Sequence, residues 1–231
     1  MISLADLPVH ARLFVKRTPL LYRSAKRLTG RGARDHLCDR TTDLCIEGYP
    51  SSGNSFSYAV LRLANERLRI AHHCHSVANL ELALGYAIPA VCLIRDPENA
   101  ITSRLARFGG DLRDAVLEYV DFYDFTLRHL DRLTVVTFEE VTQHTGVFLD
   151  RVARESGLPF AVEDVEALKP RAVAYLKQWT AKHGDPEKIS LPVASRELSK
   201  AEFREAVRSE RHFPDARRLW ERITGQAEAT S

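Results

Sequence analysis

The sequence predicts an α/β protein, a three-layer α/β/α arrangement around a mainly parallel central sheet. Short apolar runs at Leu44-Cys45-Ile46, Ala90-Val91-Cys92-Leu93-Ile94 and Leu133-Thr134-Val135-Val136-Thr137-Phe138 have the length and make-up of buried strands. The segments between them repeat their apolar residues at helical spacing. Strands alternating with helices call for right-handed crossovers and a sheet covered on both faces.

The elements follow in order. Residues 1–36 read as helical and basic, broken near Pro19 and at Gly30 to Gly32. The run at Leu44 to Ile46 enters a turn at Gly48-Tyr49-Pro50-Ser51-Ser52-Gly53, as a buried strand would. From Asn54 to Arg67, Phe56, Ala59, Val60, Leu63 and Ala64 keep helical spacing. Arg69-Ile70-Ala71-His72-His73 suits a second short strand, and Val77 to Tyr86 a helix. The strand at Ala90 to Ile94 ends at Arg95-Asp96-Pro97, with Pro97 suited to the first position of a helix that turns Ala100, Ile101, Leu105 and Ala106 inward. Leu112 to Leu130 reads as a longer helix whose Tyr119, Phe122, Tyr123 and Phe125 suit core and helix packing. After the last strand come a helix at Val147 to Glu155 and a mostly helical tail, ending near Arg217 to Ile223, with Trp179 and Trp220 as its expected anchors.

Composition limits the function classes. The chain of 231 residues is expected to form a single domain (1–231), with a basic N-terminal segment (1–40), a core (43–142) and a helical C-terminal part (158–231). A formal net charge of +2 is too small to make nucleic acid the principal partner. The N-terminal stretch is nonetheless dense in cations: Arg12, Lys16, Arg17, Arg23, Lys26, Arg27, Arg31, Arg34 and Arg40. A solvated helical face, a basic lip for an anionic ligand, and peripheral contact with a membrane all fit that pattern. No run approaches the roughly 20 apolar residues of a membrane span, and the start lacks a signal peptide's pattern. Cys38, Cys45, Cys74 and Cys92 form no C-x-x-C pair, so a reducing, cytoplasmic location is expected.

Two segments carry the chemistry. In Cys45 to Phe56, small residues between a buried strand and a helix let backbone N–H groups converge at a helix N-terminus, a site for a phosphate-like anion. Ser52, Asn54 and Ser55 add side-chain donors, and the absence of a following G-K-S/T excludes a Walker A loop. A structural N-cap would look the same. In the second segment Arg95 leaves a strand's C-terminal end and Ser103 follows eight positions later, two turns into the next helix. An Arg fork at that edge suits bidentate phosphate recognition. Pairing of Arg95 with Asp96 or Glu98 is the structural alternative.

In this order the segments resemble the sulfotransferases that use 3′-phosphoadenosine 5′-phosphosulfate (PAPS). Tyr49-Pro50-Ser51-Ser52-Gly53-Asn54-Ser55-Phe56 is similar to their 5′-phosphosulfate loop, Y-P-K-S-G followed by T or N, T or S, and W or F. Leu93 to Pro97 with Ser103 resembles their 3′-phosphate motif, and Val135 to Glu140 a later strand. The resemblance implies a P-loop-like sulfotransferase architecture and transfer of a sulfuryl group to a hydroxyl or amine of a small-molecule, glycan or lipid acceptor. It implies that Ser51, Ser52, Gly53, Asn54, Ser55 and Phe56 hold the 5′-phosphosulfate, that Arg95 and Ser103 hold the 3′-phosphate, and that Phe138 lies near the adenine. The family's loop Lys is replaced by Ser51, which removes a cation from the leaving group. Lys177 and Arg196 are the substitutes considered. The replacement also favours a non-catalytic nucleotide-binding or scaffold protein, and a small-molecule kinase is the other alternative.

The run Ile70-Ala71-His72-His73-Cys74-His75-Ser76 supplies candidate bases, since imidazole exchanges a proton near neutrality. The resemblance implies a catalytic histidine here, with His73 the best positional match and His75 the second. In an extended segment those two would share a face and His72 would point away. Adjacent ligands rarely close a tetrahedral metal site, so no metal is expected. Plain surface histidines are the bland alternative.

Overall fold

The computed structural model describes residues 7–28, 37–162, 164–183, 191 and 194–229. Arg31 and Arg34 lie outside these, as does the side chain of Arg196.

Four strands form one sheet: β1 (Leu44–Gly48), β2 (Ile70–His72), β3 (Ala90–Ile94) and β4 (Thr134–Thr137), in the order β2-β1-β3-β4. All three pairings are parallel, with Cys45 opposite Ala90 and Cys92 opposite Val135. Among the described residues eleven helices accompany them. They are α1 (Val9–Arg17), α2 (Pro19–Leu28), α3 (Asn54–Ala64), α4 (Val77–Gly85), α5 (Pro97–Phe108), α6 (Leu112–Arg128), α7 (Phe138–Gln143), α8 (Thr145–Ser156), α9 (Val165–His183), α10 (Ala194–Ser209) and α11 (Phe213–Ala229).

Successive strand side chains point to opposite faces, and that alternation builds two apolar layers. Cys45, Cys92, Ile94 and Val135 pack with α4, α5, α6 and α11 on one face. Leu44, Ile46, Val91, Leu93 and Val136 pack with α3, α8 and α9 on the other. The predicted α/β/α layering with a parallel sheet is therefore the observed one. The strand order has a functional consequence. From β1 the chain crosses outward to β2, then returns over β1 to β3. The carboxyl ends of β1 and β3 are neighbours from which the chain departs in opposite directions. A ligand crevice opens at such a point.

The structure adjusts several expectations. Phe138 is the first residue of α7, not the last of a strand, because Thr137 caps that helix in a reciprocal capping box with Glu140. α3 stops at Ala64, where Asn65 turns extended. Ala106 is half-buried, whereas Ala100, Ile101 and Leu105 are fully buried. Trp220 packs on the core, whereas Trp179 is 47% exposed. The cations of α1 form neither a solvated face nor an open lip. Arg12 pairs with Asp114 and Glu118, Lys16 with Glu118, and Arg17 with Asp121 and Asp124, all on α6. No helix among the described residues is long and apolar enough to cross a membrane.

Candidate functional site

The site is built where β1 and β3 end. Gly48 closes β1 so near its neighbour that a Cβ there would lie 2.6 Å from the Leu93 carbonyl oxygen. Only glycine permits this approach. Two positive φ values follow, at Ser51 (69°) and Gly53 (96°), and fold the loop back into α3. The Asn54 side chain donates to the Tyr49 carbonyl at 3.1 Å and the Ser52 amide to the same oxygen at 3.1 Å. The first-turn amides of α3 have no acceptor within their own helix and sit at the positive end of its dipole. Asn54 is 3% exposed and, among the described residues, its Oδ1 has no hydrogen-bond partner.

Arg95 reaches across from the end of β3. Its Nη1 donates to the Ser51 carbonyl at 3.0 Å and to Ser103 Oγ at 3.4 Å. Its guanidinium carbon lies 4.0 Å from the centre of the Phe138 ring. Pairing with Asp96 or Glu98 is not its role: Asp96 caps α5 and meets Arg217, while Glu98 binds Arg208 and Arg204. Burial disfavours the Arg95 charge, with Glu139, Asp96 and Glu197 acting at longer range to support it. A desolvated cation in this position attracts an anion strongly.

The tyrosines of α6 fix both turns from below. Tyr123 donates to the Leu93 carbonyl at 2.8 Å and lies 3.3 Å from Ser52 Oγ. Tyr119 donates to the Arg95 carbonyl at 2.7 Å, and Tyr49 donates to the Ala115 carbonyl at 3.0 Å. The aromatic cluster is core, as expected, but its hydroxyls also tether the strand ends.

The histidine run is a turn after β2 ends at His72, and both His73 (φ 61°) and His75 (φ 46°) adopt left-handed backbone. Such conformations cost about 1–3 kcal/mol each and persist where the surroundings enforce them. Glu47 supplies the enforcement. Its buried carboxylate accepts the amides of Cys74 at 2.9 Å and His75 at 2.8 Å, and the Asn79 side chain at 2.8 Å. Burial outweighs these bonds and raises the Glu47 pKa to about 7. The run is thus not extended, yet His73 and His75 both face the crevice, their rings 5.9 Å apart. His72 stacks on Tyr58 with ring centres 3.7 Å apart.

The two histidines differ chemically. His75 Nδ1 lies 2.8 Å from the Gly48 carbonyl, which can only accept, so Nδ1 carries the hydrogen. Burial pushes its pKa down to about 4, opposed by that bond and reinforced by Lys16 and Arg107. His73 Nε2 lies 2.7 Å from Ser55 Oγ, and its Nδ1 shares a hydrogen with His72 Nδ1. When His73 Nδ1 donates to His72, Nε2 accepts the hydroxyl hydrogen of Ser55 at the start of α3.

These groups line one cavity of about 550 Å³, within the range of small-ligand sites. Of the nine residues the motifs single out for nucleotide binding, eight line it; Ser52 is buried behind the loop against Tyr123. Seven residues not foreseen join them: the polar or charged Arg107, Thr142, Lys169 and Lys200, and the apolar Phe108, Val173 and Leu191. Arg107 was legible, since it stands four residues after Ser103 on the same face of α5. Lys169 and Lys200 arrive from α9 and α10, far along the chain. Of the two considered substitutes for the loop Lys, Lys177 is exposed on α9 and outside the described cavity lining. Among the described residues no group of three or more His, Cys, Asp or Glu is placed to hold a metal ion. No protein-family model matches this chain, and no curated protein matches it either.

Proposed function

We propose that the chain is a PAPS-dependent sulfotransferase that modifies a hydroxyl or amine acceptor. The observation that carries this reading is the contact of Arg95 with both Ser51 and Ser103 at the strand-order switch point. It sets the residues suited to a 3′-phosphate beside the loop suited to a 5′-phosphosulfate. The residues fit such a ligand: buried amides and hydroxyls on one side, a desolvated guanidinium on the other, and Phe138 as an apolar platform between them.

PAPS supplies the sulfuryl group, whose bond to the phosphate oxygen breaks as the acceptor oxygen or nitrogen bonds to sulfur. The residues of the chain position and neutralise, by the logic of phosphoryl transfer. The amides at Gly53 to Ser55 hold the anion, and Arg95 with Ser103 fixes the far end. His73 takes the acceptor proton at Nε2. His75, oriented by Gly48 and poor in proton affinity, stays neutral beside it. Four buried, free cysteines suit a cytoplasmic setting.

Sulfate transfer from labelled PAPS to a panel of phenols, glycans and lipids tests the reaction. His73→Ala is expected to lower turnover about 100-fold or more, as loss of a general base does, and His75→Ala to lower it less. The absence of a loop cation at Ser51 favours a second reading, a protein that binds the nucleotide without turnover. Binding with no transfer to any acceptor would select it.

A further inference from the structure

Ser55 meets His73 in a contact that sulfuryl transfer does not use. Ser55 Oγ lies 2.7 Å from His73 Nε2, and both side chains line the cavity. A serine hydroxyl is a weak nucleophile alone and is activated by a base within hydrogen-bond reach. That base is itself held. His73 Nδ1 is hydrogen-bonded to His72 Nδ1. His72 is buried, and its ring stacks on Tyr58 with 23° between the planes. With His73 Nδ1 as the donor to His72, Nε2 faces Ser55 as an acceptor. The contacts thus run from nucleophile to base to orienting group, an arrangement that recurs on unrelated folds in acyl transfer.

One helix carries both ends of this chain of contacts. Ser55 and Tyr58 stand three residues apart on α3, hence on one face. Tyr58 holds His72, His72 holds His73, and His73 returns to Ser55. Glu47 fixes the histidine turn from the other side, through the Cys74 and His75 amides. The surroundings suit the chemistry. Ser55 lies in the first turn of α3, whose amides can meet an oxyanion formed beside the nucleophile. His75 lies 5.9 Å from His73, and burial lowers its pKa to about 4, so it adds no charge beside a protonated His73. Phe56, Phe108, Phe138, Val173 and Leu191 line the same cavity and suit an apolar acyl group.

We infer that Ser55 is a nucleophile, activated by His73 and oriented through His72, and that this cavity hydrolyses carboxylic esters with an apolar acyl group. Ser55 Oγ bonds to the acyl carbon as its proton passes to His73 Nε2. The bond from that carbon to the alcohol oxygen then breaks, and His73 returns the proton to the departing oxygen. Water attacks the acyl-serine, gives a proton to His73 and releases the carboxylic acid, and Ser55 regains its hydrogen from His73. No nucleotide takes part, so the inference stands apart from sulfuryl transfer.

The experiment treats the full chain with an alkyl fluorophosphonate, which esterifies an activated serine, and locates the adduct by peptide mass spectrometry. The adduct is expected at Ser55, ahead of Ser51, Ser52 and Ser57. The chain should also hydrolyse p-nitrophenyl butyrate, an ester with an apolar acyl group. Ser55→Ala should abolish both signals. His73→Asn should slow labelling about 100-fold or more, as loss of a general base does. Asparagine tolerates the left-handed backbone found at His73, so the turn is kept, with circular dichroism as the check. Absence of an adduct at Ser55 overturns the inference, and so does labelling that a folded His73→Asn variant leaves unchanged. Ester hydrolysis that is missing in the wild type, or that persists in Ser55→Ala, overturns it as well. A failure to bind PAPS leaves all of these readouts in place.

Discussion

His75 and Glu47 are joined through the His75 amide, yet acid acts on them with opposite sign. Burial holds His75 near 4, so an unfolded chain takes a proton near its ordinary 6.5 while the native fold refuses it. The native state therefore loses stability as pH falls from about 6.5 towards about 4, by on the order of 2–3 kcal/mol. Glu47 is raised from 4.5 to about 7, so its contribution is complete below 4.5 and is lost as pH rises to about 7. Between 4.5 and 6.5 the two slopes oppose each other. Replacing His75 with Gln removes one of them. Relative to the wild type, that variant should gain about 2–3 kcal/mol in urea denaturation on going from pH 6.5 to 4. A difference that ignores pH would show that His75 titrates normally. At this scale the sequence was legible where a residue's role is local: Arg95 and Ser103 are eight positions apart on one strand-helix unit. It was opaque for Glu47, whose partners lie 27 to 32 positions away, and for the left-handed backbone of His73 and His75. Histidine adopts positive φ more often than most residues, but still too seldom for its presence alone to announce one.

Two elements carry the geometry. The first is the closely paired β1 and β3. Gly48→Ala would drive a methyl into the Leu93 carbonyl, and either strand must shift. A loss of about 2 kcal/mol or more is expected from overpacking at a rigid backbone contact, read from thermal melts, together with weaker nucleotide binding. Unchanged binding would mean that strand spacing does not set the crevice. The second is α1, fastened to α6 by charge. Glu118 is 8% exposed and sits among Arg12, Lys16 and Arg104. Burial acts to raise its pKa, but Lys16, Arg104 and Arg12 outweigh it and hold the carboxyl below its ordinary range. Glu118→Ala leaves three partly buried cations facing one another, with an expected cost of about 3 kcal/mol. Proteolysis within α1 should rise in parallel. The strands and their flanking helices were readable because their periodicities are local. The docking of α1 was not, since its ion pairs span more than 100 positions. For the same reason the basic stretch read as open surface, when three of its nine cations, Arg12, Lys16 and Arg17, form an internal joint.

The whole molecule is a doubly wound sheet whose topology, not any single motif, creates the site. The chain leaves β1 for one edge and returns to β3 beside it, so two turns 44 residues apart meet through Arg95 and Ser51. Three tyrosine hydroxyls then hold both turns against α6. The cations that complete the cavity come from α9 and α10 in the tail, which no local pattern assigns to it.

Binding of 3′,5′-ADP by isothermal calorimetry tests the central claim most directly, because it asks whether one doubly phosphorylated adenosine bridges the two turns. The expected result is a single saturable site in the wild type. Arg95→Ala should weaken it by about 2–3 kcal/mol, roughly 30- to 150-fold, the worth of hydrogen bonds to a charged phosphate. A wild-type titration without measurable heat, together with no rise in thermal midpoint at millimolar ligand, would contradict the account.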